Sequence, residues 1–214
     1  MKTILQIVLW LVCIVLGYMI FQSVNAPIKF NKVRQERFSA VIVKLKDIRD
    51  AQEAHKSVTG QYAKNFDNLI AFVDTAQYTI TQQRDSSFMR YDKVYRIDLQ
   101  VDTVVVDTLG FVKVRDSLFK NSDRYKNLAS VPGAKGDEKF TMEAGTVDKG
   151  GFTAPVFVAS VKKDVILYDQ PQDLRIKENA HESIEEVDGD EIRVGSMDEV
   201  STSGNWPSIY DRKQ

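Results

Sequence analysis

Hydrophobic residues change their spacing twice along this chain, and each change predicts a different kind of element. Residues 4–21 are apolar at nearly every position, with Gln6 as the one strongly polar side chain. Residues 31–58 place apolar side chains at intervals of three and four, which predicts an amphipathic helix. From Tyr78 onward, short runs rich in Val, Ile, Tyr, Phe and Thr alternate with polar residues, which predicts antiparallel strands with one wet face. The predicted fold class is therefore α+β.

The apolar segment at residues 4–21 has the length of one membrane span. Its 18 residues would form a helix of roughly 27 Å, close to the thickness of the hydrocarbon core of a bilayer. We expect membrane lipid to surround the large apolar side chains of this segment, which are Ile4, Ile7, Leu9, Trp10, Leu11, Ile14, Leu16, Ile20 and Phe21.

A cleaved signal peptide is the alternative interpretation of the same segment. Val24 and Ala26 place small or apolar residues at the two positions that a signal peptidase reads. The apolar run, however, is longer than the usual core of a signal peptide. Pro27 would also follow the cut directly, where proline is poorly tolerated. We therefore predict an uncleaved transmembrane anchor over residues 1–26.

The charges beside the anchor give two opposed predictions of its orientation. Lys29, Lys32, Arg34 and Arg37 would keep the rest of the chain in the cytoplasm by the positive-inside rule. A Met-Lys start directly before an apolar run is instead the usual form of a signal-anchor that exports the domain after it. We expect export, which makes this a single-pass protein of a bacterial inner membrane with a periplasmic head.

We term the amphipathic helix at residues 27–59 the stalk. Its apolar stripe has two possible partners, which are the protein's own sheet and neighbouring copies of the chain. From Leu45 onward, the protein's own sheet is the favoured partner of the stripe. Nearer the membrane, residues 28–40 are expected to lie too far from the head to pack on it. Where the stripe contacts other subunits, Phe38, Val41 and Leu45 are the residues predicted to form the interface.

The end of the stalk is marked by a glycine. Gly60 predicts a helix end, because glycine adopts the left-handed conformation that closes a last turn. Tyr62 then begins an extended passage, so Gly60 and Tyr62 form the predicted joint between the stalk and a β-rich head at residues 60–214. Asn65 predicts the N-cap of a short helix over residues 66–72.

The head contains seven runs with the composition of strands. They lie at residues 78–83, 93–101, 103–108, 111–114, 139–143, 155–168 and 191–194. A polar C-terminal loop follows, and Trp206, Pro207 and Tyr210 within it are expected to anchor the loop to the head.

Composition and motifs provide no chemistry for catalysis. The formal net charge is -1, which does not favour nucleic acid as a partner. Cys13 is the single cysteine, which excludes an intramolecular disulfide and a cysteine-based metal site. The sequence has no glycine-rich phosphate loop and no nucleophile elbow, and residues 181–185 (HESIE) lack the second histidine of a zinc-protease helix. We predict a non-enzymatic protein with no cofactor and no nucleic-acid partner.

Acidic residues concentrate around Gly189. Asp188, Asp190 and Glu191 place carboxylates on a tight turn, which makes them a weak candidate for calcium. Their spacing does not match the twelve-residue calcium loop, so a solvated acidic hairpin is the favoured interpretation and no metal site is predicted. Residues 28–50 carry seven Lys and Arg against three acids, whereas residues 178–200 carry nine acids and one Arg. This asymmetry could steer the acidic head of one subunit onto the basic stalk of another, and solvation of charged surfaces explains it equally well.

Residues 45–73, LKDIRDAQEAHKSVTGQYAKNFDNLIAFV, resemble the junction between the long first helix and the head of type IV pilins and type II secretion pseudopilins. Those proteins have a helix rich in Ala, Gln and charge that ends in Gly-x-Tyr, and a proline near the membrane exit, as Pro27 is here. The resemblance covers about residues 1–75. The Gly-Phe site that prepilin peptidase cuts and the disulfide-closed loop of those families are missing. The resemblance implies a pilin-like fold, in which the N-terminal helix packs on an antiparallel sheet.

Two classes of function follow from these observations. The first is a non-enzymatic, membrane-anchored structural subunit of a cell-envelope assembly for secretion, motility or adhesion, in contact with other subunits as a homo- or hetero-oligomer. The alternative is a membrane-tethered periplasmic module that binds a small ligand or a glycan. In that alternative, Trp206 and Tyr210 would form the binding patch.

Overall fold

The structure is a computed structural model that describes residues 2–92, 96–120, 122–180 and 186–211. The fold is α+β. Its helices are α1 (Lys2–Thr59), α2 (Phe66–Thr75), α3 (Val114–Phe119), α4 (Lys163–Ile166) and α5 (Gln172–Asn179), and its strands are β1 (Gln77–Asp92), β2 (Ile97–Lys113), β3 (Thr141–Lys149), β4 (Phe152–Lys162) and β5 (Glu191–Ser196). Short 3-10 helices lie at Asp123–Asn127 and Ser208–Asp211.

The chain divides into two compact units. The first unit is Met1–Arg49 with Leu128–Gln214, and the second is Asp50–Asn127. The single head expected at residues 60–214 is therefore divided, because its first half belongs to the second unit and its second half to the first. The last turns of α1 also belong to the second unit.

Helix α1 runs through Pro27 without a break, so the separate second helix predicted to start near residue 31 does not exist. Proline costs a helix the hydrogen bond to the carbonyl four residues earlier, which here is that of Ser23. Pro27 follows the end of the apolar segment, where water can bind that carbonyl. The helix therefore tolerates the proline at this position.

The first unit is built on a three-stranded antiparallel sheet with the order β3-β4-β5. Lys149 pairs with Phe152 across a two-residue turn, and both turn residues, Gly150 and Gly151, have positive φ. That combination defines the type I′ hairpin turn, which glycine adopts without a side-chain clash. Buried side chains alternate with less buried ones over residues 157–161 of β4 and 192–194 of β5; the buried ones are Phe157, Ala159, Val161, Ile192 and Val194. The predicted alternation is confirmed for these segments of β4 and β5.

Strand β4 ends earlier than the sequence predicts. The predicted strand at residues 155–168 stops at Lys162, and residues 163–166 form α4 instead. The backbone N–H of Lys163 donates to Asp190 O at 2.9 Å. The side chain of Lys163 is fully buried, and its ammonium group binds backbone carbonyls, as described below.

The second unit begins with the end of α1. Gly60 follows the last helical residue with φ of 81°, and its N–H donates to Lys56 O at 2.8 Å. Asn65 caps α2 by accepting a hydrogen bond from the N–H of Asn68 at 2.9 Å, which confirms the predicted cap. Between Gly60 and Asn65 lies Ala63, whose backbone N–H and C=O both form hydrogen bonds with the buried side chain of Gln52.

The rest of the second unit is dominated by a two-stranded antiparallel ribbon formed by β1 and β2. Four predicted strands between residues 78 and 114 are thus two long strands of 16 and 17 residues. At about 3.3 Å per residue the ribbon is roughly 50 Å long. One bulge interrupts its register, between Ile80 and Thr81.

Candidate functional site

The N-terminal part of α1 is long and apolar enough to cross a membrane. The nine side chains predicted to face lipid are 52–71% exposed, so the rest of the chain leaves them uncovered. Phe30, nine residues after Phe21, is already buried at 5% exposure. Nine helical residues span about 14 Å, so the packed part of the first unit begins close to the end of the apolar segment.

The three residues predicted as a subunit interface lie in the interior of the chain instead. Phe38, Val41 and Leu45 are 1%, 0% and 0% exposed. Their burial, together with that of Phe30, also corrects the expectation that residues 28–40 stand clear of the head. The three side chains are therefore unavailable to a partner in the folded chain. The exposed side of this part of α1 carries Val43, at 56% exposure.

A charge cluster joins α1 to the rest of the first unit. It consists of Arg34, Lys163, Glu178 and Glu186. Arg34 donates to Glu178 Oε2 at 2.5 Å and to both carboxylate oxygens of Glu186 at 3.1 Å. Lys163 Nζ donates to Val187 O at 2.8 Å and to Glu178 O at 3.0 Å, and lies 3.3 Å from Glu178 Oε1. Two cations and two anions balance the charge of the cluster.

Burial and pairing act in opposite directions on the cations of this cluster. Burial lowers the pKa of the Lys163 ammonium, and the attraction of Glu178 only partly opposes that effect. Burial also lowers the pKa of the Arg34 guanidinium, but hydrogen bonds to Glu178 and Glu186 outweigh this effect, so the pKa is raised overall. Arg34 therefore remains a fixed cation, and its attraction to the acidic residues is satisfied within one chain. The predicted steering between subunits is not needed to explain the charge asymmetry.

A second ion pair lies one helical turn further along α1. Arg37 donates to Asp169 Oδ1 and Oδ2 at 2.6 and 2.8 Å, and to Ile166 O at 2.8 Å. The hydrogen bonds from Arg37 hold the pKa of Asp169 at about 2, below its ordinary value of 3.8. Arg34 and Arg37 thus serve as clamps between α1 and the segments around α4 and α5.

A half-open cavity of about 230 Å³ adjoins the charge cluster. Its lining consists of Asn31, Arg34, Gln35, Phe38, Glu178, Glu186, Val187, Ile209 and Tyr210. The carboxylates that face it already bind Arg34 or Lys163. Burial raises the pKa of the Tyr210 phenol. The charged groups that line the cavity are therefore already paired with one another.

The acidic turn at Asp188, Asp190 and Glu191 is held by an asparagine that the sequence pattern did not single out. Asn205 Nδ2 donates to Asp188 O at 2.7 Å and to Glu191 O at 2.8 Å, and Asn205 Oδ1 accepts from the N–H of Arg193 at 2.9 Å. Across the part of the chain that the structure describes, no group of three or more His, Cys, Asp or Glu side chains is arranged to hold a metal ion. Residues 181–185 lie outside the described residues.

The C-terminal loop is docked on the sheet of the first unit. Trp206 is 8% exposed, and its ring lies so close to Gly204 that a Cβ there would meet ring atoms at 2.3 Å. Gly204 forms an isolated bridge with Val194 of β5, and Tyr210 O accepts a hydrogen bond from Lys46 Nζ. Trp206 is thus an internal anchor, and the exposed patch of Trp206 and Tyr210 considered above is not present.

The ribbon exposes large apolar side chains on both of its faces. Val104 and Val106 on one face are 54% and 53% exposed, and Phe88 on the other is 52% exposed. The further exposed members are Ile80, Met89, Tyr91, Ile97, Leu99, Leu109 and Phe111. The prediction of one dry face is therefore wrong for β1 and β2. A two-stranded hairpin is marginally stable alone in water. This surface is therefore the strongest candidate for a partner-binding site.

Both outer edges of the ribbon are also open. Among the residues that the structure describes, β1 pairs with β2 alone and β2 with β1 alone. Each edge presents unpaired backbone N–H and C=O groups, which form a template for another strand. The sequence signal for this surface was the run VVV at residues 104–106, because three consecutive valines place apolar side chains on both faces.

The geometry thus provides an exposed apolar helix and an exposed apolar ribbon as interaction surfaces. Comparisons of the chain with known protein families, with curated proteins and with solved structures find no match.

Proposed function

We propose that this protein is a single-pass, membrane-anchored structural subunit of a bacterial cell-envelope assembly, and that the ribbon is its partner-binding surface. The observation that carries the proposal is the exposure of Phe88, Val104 and Val106 on a two-stranded ribbon with open edges. Apolar patches of this kind mark interaction sites in soluble domains. The exposed apolar start of α1 supplies the anchor.

The resemblance to pilins and pseudopilins supports the same proposal. In those families and in this chain, an apolar N-terminal helix continues into a helix whose apolar stripe is covered by the rest of the same chain. The proposed role is mechanical, because the clamps at Arg34 and Arg37 fix α1 within the first unit. We propose that the apolar segment lies in the inner membrane and that the residues after it lie in the periplasm.

The test is the size of the native complex with and without an intact ribbon surface. Val104→Lys with Val106→Lys replaces two exposed apolar side chains, and the lysine introduced at position 104 would lie opposite Asp85 in the register, where opposite charges are favourable. The matched control is Ile176→Lys on α5, a residue with 59% exposure. We expect the ribbon variant to lose the large complex after gentle extraction from the native membrane, and the control to retain it.

Two results would contradict the proposal. A wild-type protein that is extracted as a monomer, even after cross-linking in the cell, would show that it is not a subunit of an assembly. A ribbon variant that keeps the full-size complex would show that the partner binds elsewhere. Orientation is tested separately by a C-terminal reporter that is active only outside the cytoplasm, and a silent reporter on a stable fusion would place the domain inside.

A further inference from the structure

The two strands of the ribbon carry different charges. Strand β1 contains both arginines of the ribbon, Arg84 and Arg90, and its two aspartates at positions 85 and 92 balance them. Strand β2 contains three aspartates at positions 98, 102 and 107, and its single basic residue is Lys113, the last residue of the strand, at the base of the ribbon. The cations of the ribbon are thus concentrated on β1, and the excess of anions lies on β2.

This contrast identifies a partner for the ribbon. Within one chain, this charge contrast already produces an ion pair between the two strands, because Arg84 Nε lies 3.2 Å from Asp107 Oδ2. On the basis of the function proposed above, we propose that the ribbon binds the ribbon of a second copy of this chain, with the outer edge of β1 in one copy paired to the outer edge of β2 in the next.

The register within the ribbon shows why the same pairing works between copies. From Thr81 opposite Thr108 to Asp92 opposite Ile97, twelve successive pairs follow without a bulge. A second ribbon added in the same register repeats these neighbours across the contact. Phe88 then lies beside Val101 of the next copy, and Arg84 lies near Asp107 of the next copy. Such cross-strand pairs are the unit of sheet stabilisation.

Charge also favours this pairing over the two symmetric alternatives. Two β2 edges would bring six aspartates onto one strip of sheet, and like charges on neighbouring strands are destabilising. Two β1 edges would leave the aspartates of β2 without arginine neighbours from the other copy. Pairing of β1 with β2 places arginines beside those aspartates, so it is the combination that the charges favour.

The outer part of the ribbon lacks two of the devices that usually block strand addition, which are proline and bulges. Natural edge strands are also protected by charged side chains, above all lysine. Neither β1 nor β2 contains proline, Lys113 is at the base of β2, and the bulge lies between Ile80 and Thr81, outside the twelve pairs. The edges over residues 81–92 and 97–108 are thus left available to another strand.

The proposed contact has a consequence for the size of the assembly. It is heterologous, because a different edge is used on each side. A dimer therefore still has one open β1 edge and one open β2 edge. Further copies add until a ring closes or a linear array forms.

The test uses cysteines placed on the two edges of the full-length protein in detergent. In a Cys13→Ala background, one protein carries Ser86→Cys on β1 and another carries Thr103→Cys on β2. The two positions are opposite each other in the register and both are exposed. Each protein has one cysteine and a tag of distinct size, so a mixed disulfide reports contact between copies. The control replaces one partner with Asp173→Cys, on the exposed surface of α5.

We expect mild oxidation of the mixture to give a disulfide-linked heterodimer that is absent from either protein alone and from the control mixture. A Ser86→Cys protein that links to itself would show a two-fold arrangement and overturn the proposal. A mixture that links no better than the control would overturn it as well. If the mixture links no better than the control and the Val104→Lys with Val106→Lys variant still reduces the native complex, the ribbon binds a different protein. The function proposed above would then stand without self-association.

Discussion

Lys163 Nζ lies 3.3 Å from Glu178 Oε1, and neither side chain is more than 2% exposed. The ammonium also donates to two backbone carbonyls, those of Glu178 and Val187. Glu178 in turn accepts from Arg34 of α1. One buried carboxylate therefore contacts two cations and connects the long helix to the region around α4 and α5.

Replacement of this carboxylate is expected to destabilise the first unit strongly. Glu178→Gln removes the buried anion and leaves the charge of Lys163 uncompensated, which costs about 3 kcal/mol or more of unfolding free energy. Glu186→Gln is the matched control, because Glu186 also binds Arg34 but is 31% exposed; its loss should be below about 1 kcal/mol. Denaturant unfolding of the purified protein measures both, and equal losses would show that Glu178 has no special role.

The interior position of Val41 predicts a different result from the one expected of an interface residue. Val41→Asp places an unpaired charge in the core, at a site with 0% exposure, so we expect the first unit to lose its fold. Val43→Asp, two positions along the same helix and 56% exposed, should leave it folded. Circular dichroism and limited proteolysis compare the two. A Val41→Asp protein that stays folded and loses only its oligomers would show that Val41 lies in a subunit interface.

Gln52 is expected to be the main polar support of the chain reversal after Gly60. Its amide donates to Ala63 O at 2.9 Å and accepts from the N–H of Ala63 at 2.8 Å, and both residues are buried. Gln52→Ala leaves these two backbone groups without their partners and should cost roughly 2–4 kcal/mol. Glu53→Ala, at the exposed neighbouring position, should change stability by less than about 0.5 kcal/mol. Thermal unfolding compares the variants, and similar melting temperatures would contradict this role.

The pair of Arg37 and Asp169 predicts a measurable pH dependence. The pKa of Asp169 is lowered to about 2 from an ordinary 3.8, so the carboxylate form is favoured by folding. Its stabilising contribution is complete above the unfolded value and is lost as the pH falls through about 2. Carbon NMR of the Asp169 carboxyl should give this low midpoint. In an Arg37→Gln variant the midpoint should move up toward 3.8, and an unchanged midpoint would show that Arg37 is not the cause.

Local sequence signals predicted the local features of this fold. Gly60 and Asn65 act within one helical turn, so their neighbours alone determine the helix end and the cap. The alternation of side chains in β4 and β5 likewise reflects the two faces of one strand. These signals require no knowledge of distant residues.

Features that depend on distant partners were not predictable in the same way. The stripe at Phe38, Val41 and Leu45 shows which side of the helix is apolar, but periodicity does not specify what covers it. Lys163 belongs to a run that reads as a strand, and its partners lie 15 and 24 residues away in the chain. Asn205 is a single polar residue in a loop, and its role depends on two carbonyls of another turn.

For the proposed membrane-anchored subunit, the unbroken course of α1 also affects how two copies would meet. A protein on a flexible tether must lose the freedom of that tether when it binds, and this loss weakens association. Here no loop separates the apolar segment from the clamps at Arg34 and Arg37. In the bilayer the first unit of each copy would diffuse laterally at a fixed height. Two such copies would search for each other in a plane, with part of the orientational cost of binding already met by the membrane.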